Sequence, residues 1–131
     1  MSDNGPAFVL RIGKSVESML YARKWLYVGV RRDWVQGSKV LFVRKSEAFI
    51  GSGVVHRIQL LEELESEERQ KCLEQNFHAK IHFGLLERFL PPVPMESTPA
   101  GTLNPFTLHG AEMDVSVASK IENLAACRII L

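Results

Sequence analysis

Cysteine is scarce. The chain of 131 residues holds two, Cys72 and Cys127, and they share no ligand-spaced motif. That argues against a disulfide framework and against a zinc site built on thiolates. Long apolar runs are absent too, and none approaches the ~20 residues a helix needs to cross a bilayer. The opening residues, MSDNGPAFVLRIGK, are polar and acidic before a short apolar run, which is not the shape of a secretory leader. A soluble, cytoplasmic protein without a membrane partner is the expectation. Neither a P-loop nor a dinucleotide-binding fingerprint occurs. Ser15, Ser46 and Ser52 stand in no nucleophile-elbow sequence and beside no His/Asp pairing. His78 and His82 are four apart; on a strand that is ~13 Å, too far for one zinc. No catalytic residue, metal ligand or cofactor is assigned.

What is present suffices for one domain, residues 1–131. Apolar residues make up 46% and charged residues 24%, the balance of a folded chain with a core. The net charge of +1 conceals a split. Residues 1–57 carry ten Lys and Arg against four acids, and residues 58–131 carry six against eleven. A basic first half suits an anionic partner. Mutual attraction of the two halves, or plain surface solvation, would also produce the split.

Periodicity supplies the elements. AFVLRI reads as a strand. GKSVESMLYARK reads as a helix capped by Ser15, with Glu17 in its first turn and Val16, Met19 and Leu20 on one face. KWLYVGV is a strand, with Trp25 and Tyr27 on one side and Leu26 and Val28 on the other. RRDWVQGS is a turn-bearing connection in which Gly37 takes the special backbone angle and Trp34 is open to solvent. KVLFVR and AFIGSGVVHRI form a hairpin about residues 45–47. LEELESEERQKCLEQNF predicts a helix capped by Ser66, with Leu61, Leu64, Leu73 and Phe77 as its apolar face and its run of glutamates in solvent. HAKIHFGLLERFL predicts a strand stopped by PPVP. Residues 95–113 predict a long loop, in which His109 beside Gly110 has the chemistry to line a site. Residues 114–125 predict a helix capped by Asp114 or Ser116, followed by a short strand at CRIIL. Strands in runs with few helices between them predict an α+β domain on a small curved sheet or barrel. Gly51 and Gly53 interrupt a strand, which marks a bend, a bulge or the close approach of another group.

The stretch ARKWLYVGVRRDWVQGSKVLFVRKSEAFIGSGVVHRI resembles the PUA-like superfamily, which includes the PUA, ASCH, EVE and YTH domains. The matching features are Lys24 at a turn into a strand, the run Gly37-Ser38-Lys39-Val40-Leu41-Phe42, and the run Ile50-Gly51-Ser52-Gly53-Val54-Val55 leading to a helix. A late strand ending in prolines fits as well. The resemblance covers roughly residues 8–95, and the uncharacterised archaeal members are the most similar in pattern. It implies a mixed β pseudo-barrel with two or three helices packed at its ends, and a cleft beside the first helix. It also implies an RNA or modified-nucleotide partner. The small ASCH amidohydrolases are similar to G-x-K-T-x-E-x-R at this turn. Here only Lys24 is retained, Trp25 and Tyr27 standing where the threonine and the carboxylate would be.

The expected function is therefore an RNA or modified-nucleotide binding module. Its candidate binding residues are Arg11, Lys14, Lys24, Trp25, Arg31, Arg32, Trp34, Arg44 and Lys45. Cationic forks and ammonium groups meet phosphate oxygens, and an indole stacks a base. Arg31 and Arg32 beside Trp34 form the sharpest cluster. Core packing of Trp25 is the competing reading for that residue. The alternatives are a small amidohydrolase acting on a modified nucleoside, centred on Lys24, and a protein-interaction domain using the acidic helix or the segment 89–99.

Overall fold

The computed structural model describes residues 6–44, 47–98 and 109–131. Lys45, and most of the residues 95–113 expected to form a loop, fall outside these segments. The elements, in chain order, are β1 (Pro6–Ile12), α1 (Lys14–Arg23), β2 (Trp25–Val28), β3 (Lys39–Arg44), β4 (Ala48–Leu60), α2 (Ser66–Glu74), β5 (Ala79–Pro94), β6 (Glu112–Asp114), α3 (Val115–Asn123) and β7 (Cys127–Ile130). They build a mixed α+β domain on one seven-stranded sheet of order β2-β5-β4-β3-β1-β6, with β7 added to β5. Only β1 and β3 run parallel. Among the described residues no pairing joins β2 to β6, so the sheet is open where the barrel expectation would close it. No described helix is long and apolar enough to cross a membrane.

Both faces of the sheet are covered, which is why β1 and β3 read as continuous apolar runs rather than alternating ones. Phe8, Leu10 and Ile12 of β1, with Val40 and Phe42 of β3, point into a core closed by Leu20 of α1. Ala7 and Val9 of β1, with Leu41 and Val43 of β3, point into a second core closed by Ala118 and Ile121 of α3.

Gly51 and Gly53 sit where β4 and β5 press together. A methyl group on Gly51 would run into the backbone carbonyl of Glu87 and lie 2.7 Å from the Tyr21 hydroxyl. One on Gly53 would lie 2.9 Å from both Leu86 and Phe83. The pairing of β4 with β5 also shifts register between Phe49 and Gly51. The glycines thus serve close approach and bending together.

A buried ionic network docks α3 on the other face. The Glu122 carboxylate, 3% exposed, accepts from Lys39 Nζ at 2.6 Å, from Ser52 Oγ at 2.7 Å and from Arg128 at 3.3 Å. Arg128 also donates to Glu87 at 2.6 Å. Four elements of the chain and the Arg128 strand meet at these two carboxylates.

Several elements differ from their sequence expectation. In α1, Val16 and Met19 are exposed and Glu17 is buried. Arg44 of β3 draws that carboxylate inward, at 2.8 and 3.2 Å, and so turns the helix. Gly13, not Ser15, occupies the N-cap position. The expected long second helix is a 3-10 turn at Leu61–Glu63 followed by α2, with Glu65 rather than Ser66 at the cap. Arg69 of α2 ties the break between them by donating to the carbonyls of Leu61 and Leu64, each at 2.9 Å. Leu73 is consequently exposed, and Cys72 is the buried residue of α2. β5 runs on through the prolines. Pro91 and Pro92 fall in the gap between the Gly51–Arg88 and Phe49–Val93 pairings, where the ladder with β4 asks no amide of them. Within 95–113, Met95–Ser97 is a 3-10 turn and β6 begins at Glu112.

Gly51→Ala should lower unfolding stability by about 2–4 kcal/mol, because backbone lies in the way of the added methyl. Gly13→Ala, with nothing within 4 Å, should stay within about 0.5 kcal/mol of the parent in urea titrations. Glu122→Ala leaves Lys39 and Ser52 without their partner and should cost about 3–5 kcal/mol by the same measurement.

Candidate nucleic-acid interface

The segment His109-Gly110-Ala111 lies along β1. Gly110 N–H donates to the Val9 carbonyl at 2.6 Å, and Val9 N–H donates to the Ala111 carbonyl at 2.9 Å. Gly110 has φ of +81°, a conformation that glycine adopts without steric cost. A methyl group there would also sit 2.6 Å from Val30. The connection after β2 is fastened to the same segment. Arg32 Nε donates to the Gly110 carbonyl at 2.6 Å, and Arg32 Nη1 donates to the Arg31 carbonyl at 2.6 Å.

Backbone geometry therefore gathers charges that are far apart in sequence. Arg11 and His109 line one groove with Gly13. Arg31 and Arg32 line the adjoining one with Asp33, Gly110 and Glu112. Lys14, the first residue of α1, follows Gly13 in the chain. The Arg11 backbone N–H donates to His109 Nδ1 at 3.0 Å, so that nitrogen is an acceptor and the neutral ring carries its proton on Nε2. Burial first, then the Arg11 and Arg32 charges, push the His109 pKa below the ordinary histidine value. His78 is lowered likewise, by burial and then by Arg31.

Five cations elsewhere are committed to carboxylates. Lys39, Arg44, Lys71, Lys80 and Arg128 each meet a carboxylate. Among the described residues the side chains of Arg11 and Arg31 have no ion pair or hydrogen bond, and Arg32 is held by carbonyls alone. Charges kept free of carboxylate partners remain available to an anion.

The other expected binding residues go elsewhere. Arg44 is committed to Glu17, in the first turn of α1. Its neighbour Tyr21 donates to the Ile50 carbonyl at 3.1 Å, and burial, with Glu17 adding to it, pushes this phenol up to about 12. Lys24 is the left-handed cap of α1, at φ 63°. Trp25 is half-buried on a different surface, with Lys80 Nζ 4.2 Å and Arg23 5.4 Å from its ring centre and Tyr27 edge-on at 5.0 Å. Tyr27 donates to Glu68 at 2.6 Å, and Lys80 reaches the same carboxylate at 2.8 Å. Lys80 first, then Tyr27, hold that carboxyl below the usual range. Trp34, expected in solvent, is 9% exposed and packs on Phe8 at 4.7 Å between ring centres, so it is core and not a stacking platform. Its Nε1 is buried without a hydrogen-bond partner among the described residues.

Sequence reasoning did not join His109 to Arg11, because the contact spans 98 residues. The signal that could have pointed to it was the His-Gly pair opening onto EMD. It also missed the Glu122 network, whose members are spread over five elements. No family model, curated protein or solved structure matches the chain.

The histidine shifts fix a sign for pH. His78, His82 and His109 all have folded pKa values below their unfolded one, each through burial first. The unfolded chain then binds more protons, so their contribution is intact above the unfolded value of ~6.5 and falls as the pH drops below it. Urea midpoints should therefore decrease from pH 7.5 to 5.5, a window in which Glu68 stays ionised. His109→Asn should narrow that decrease.

Proposed function

We propose that the chain is a PUA-like RNA or modified-nucleotide binding domain whose phosphate-contacting surface is the groove of Arg11, Arg31, Arg32 and His109, with Lys14 next to Gly13 in the chain. One observation carries this reading: the fold gathers Arg11 and Arg31, which meet no carboxylate, beside Arg32 and His109 from distant parts of the chain, while Lys39, Arg44, Lys71, Lys80 and Arg128 are each taken by a carboxylate. Guanidinium forks match phosphate oxygens, and the Nε2–H of a neutral imidazole adds a directional donor. Asp33 and Glu112 line the same groove. They limit it to a few phosphates, in keeping with a short single-stranded or terminal segment of RNA rather than a long polyanion track. The two-sided sheet with helices on both faces is compatible with the PUA-like resemblance. The hydrolase reading gains nothing from Lys24, whose neighbours in the site it requires are Trp25 and Tyr27, both already engaged.

The test is binding of a short single-stranded RNA over a range of salt. Arg11→Glu with Arg31→Glu should weaken binding at least tenfold at low salt and flatten the salt slope by ~1–2, as two phosphate contacts are lost. Lys120→Glu, on the outer face of α3, should leave the slope close to the parent's. Equal slopes for the parent and the double variant would remove the groove from the interface.

A further inference from the structure

Asp33 is shared between two cavities. On one side it lines the groove of Arg31 and Arg32. On the other it opens a cleft of about 500 Å³ between the 35–38 connection, the start of β1 and the first turns of α3. That volume lies within the ~300–1,000 Å³ of small-molecule sites. The cleft differs in character from the groove. Phe8, Val35 and Val115 supply apolar surface, and Gln36 and Ser119 supply groups that both donate and accept. Lys39 also lines it, but its ammonium is tied to Glu122 at 2.6 Å. The cleft therefore offers no free cation, and its one free charge is the Asp33 carboxylate. Val35 is 59% exposed, a large apolar side chain standing open on the wall.

A partly apolar cleft without a free cation, beside an unpaired arginine groove and with one carboxylate at the junction, has the order of a nucleotide. We infer that the cleft takes a nucleobase, lying against Val35 and hydrogen-bonded by Gln36 and Ser119, while the phosphate of the same nucleotide lies on Arg31 and Arg32. The sugar then falls at Asp33, whose carboxylate accepts from a ribose hydroxyl. The 2′-hydroxyl is the group that distinguishes RNA from DNA at such a position. The ligand is a ribonucleotide, free or at the end of a strand. This rests on the reading of the arginine groove as a phosphate site and adds the base and the sugar to it.

Calorimetric titration with inorganic phosphate, AMP, UMP and 2′-deoxy-AMP tests this, on the parent chain and on Ser119→Trp, Val35→Glu, Asp33→Asn and Arg31→Glu. Val35 is exposed, so its variant keeps the measurement open should the indole at 119 disturb α3. A ribonucleoside monophosphate should bind roughly tenfold or more tightly than phosphate. Ser119→Trp or Val35→Glu should abolish that gain while phosphate binding persists, and Asp33→Asn should bring AMP and 2′-deoxy-AMP together. Nucleotides that bind no better than phosphate and ignore Ser119→Trp and Val35→Glu overturn the base cleft, while loss of phosphate binding in Arg31→Glu would still uphold the groove. Absence of phosphate and nucleotide binding alike overturns both.

Discussion

The fold depends on how closely β4 and β5 approach each other at Gly51 and Gly53. A thirteen-residue strand and a sixteen-residue strand run side by side there with no room for a side-chain carbon. From that pair the rest is hung. β3 and then β1 extend the sheet from β4, while β2 and β7 share the other edge of β5. The missing methyl at Gly51 leaves space for Tyr21, which fastens α1 to the sheet. Ser52, between the two glycines, reaches the opposite face and meets Glu122 of α3. Two glycines with a serine between them thus serve both layers of the core.

Charge is divided by the same architecture. Carboxylates of the second half find cations at Lys39, Lys80 and Arg128, and Glu17 takes Arg44. Of the first-half basic residues left without a carboxylate, Arg11, Arg31 and Arg32 gather at one end, where the chain crosses from β2 toward β3 and where His109 and Gly110 lie on β1. The excess of basic residues before position 58 is accordingly two populations. One is structural and paired; the other is free of carboxylates, and Arg11, Arg31 and Arg32 of it line the grooves.

Much of the fold was legible because it depends on local pattern. Continuous apolar runs mark β1 and β3, alternation sets Trp25 and Tyr27 against Leu26 and Val28, and Gly37 takes its positive φ at a turn. The failures have a common physical origin. Trp34 lies in a connection with no periodicity, among charged residues, and only the tertiary placement of Phe8 buries it. The face of α1 was misread because an ion pair that buries Glu17 against Arg44 outweighs Val16 and Met19. β5 passes its prolines through a register gap that exists only once β4 is beside it. Of the candidate site, the arginine pair at 31 and 32 was legible as a dense cluster. Arg11 and His109 were each noted, but their meeting was not legible, since a fold-made neighbour leaves no trace in spacing.

The most direct measurement is ultraviolet crosslinking of single-stranded RNA to the protein, with the modified residues mapped by mass spectrometry at low and high salt. The account predicts salt-labile crosslinks in the 30–36 connection and in the segment from His109 to Met113. Crosslinks confined to the surface of Trp25, Tyr27 and Lys80, or crosslinks indifferent to salt, would contradict it.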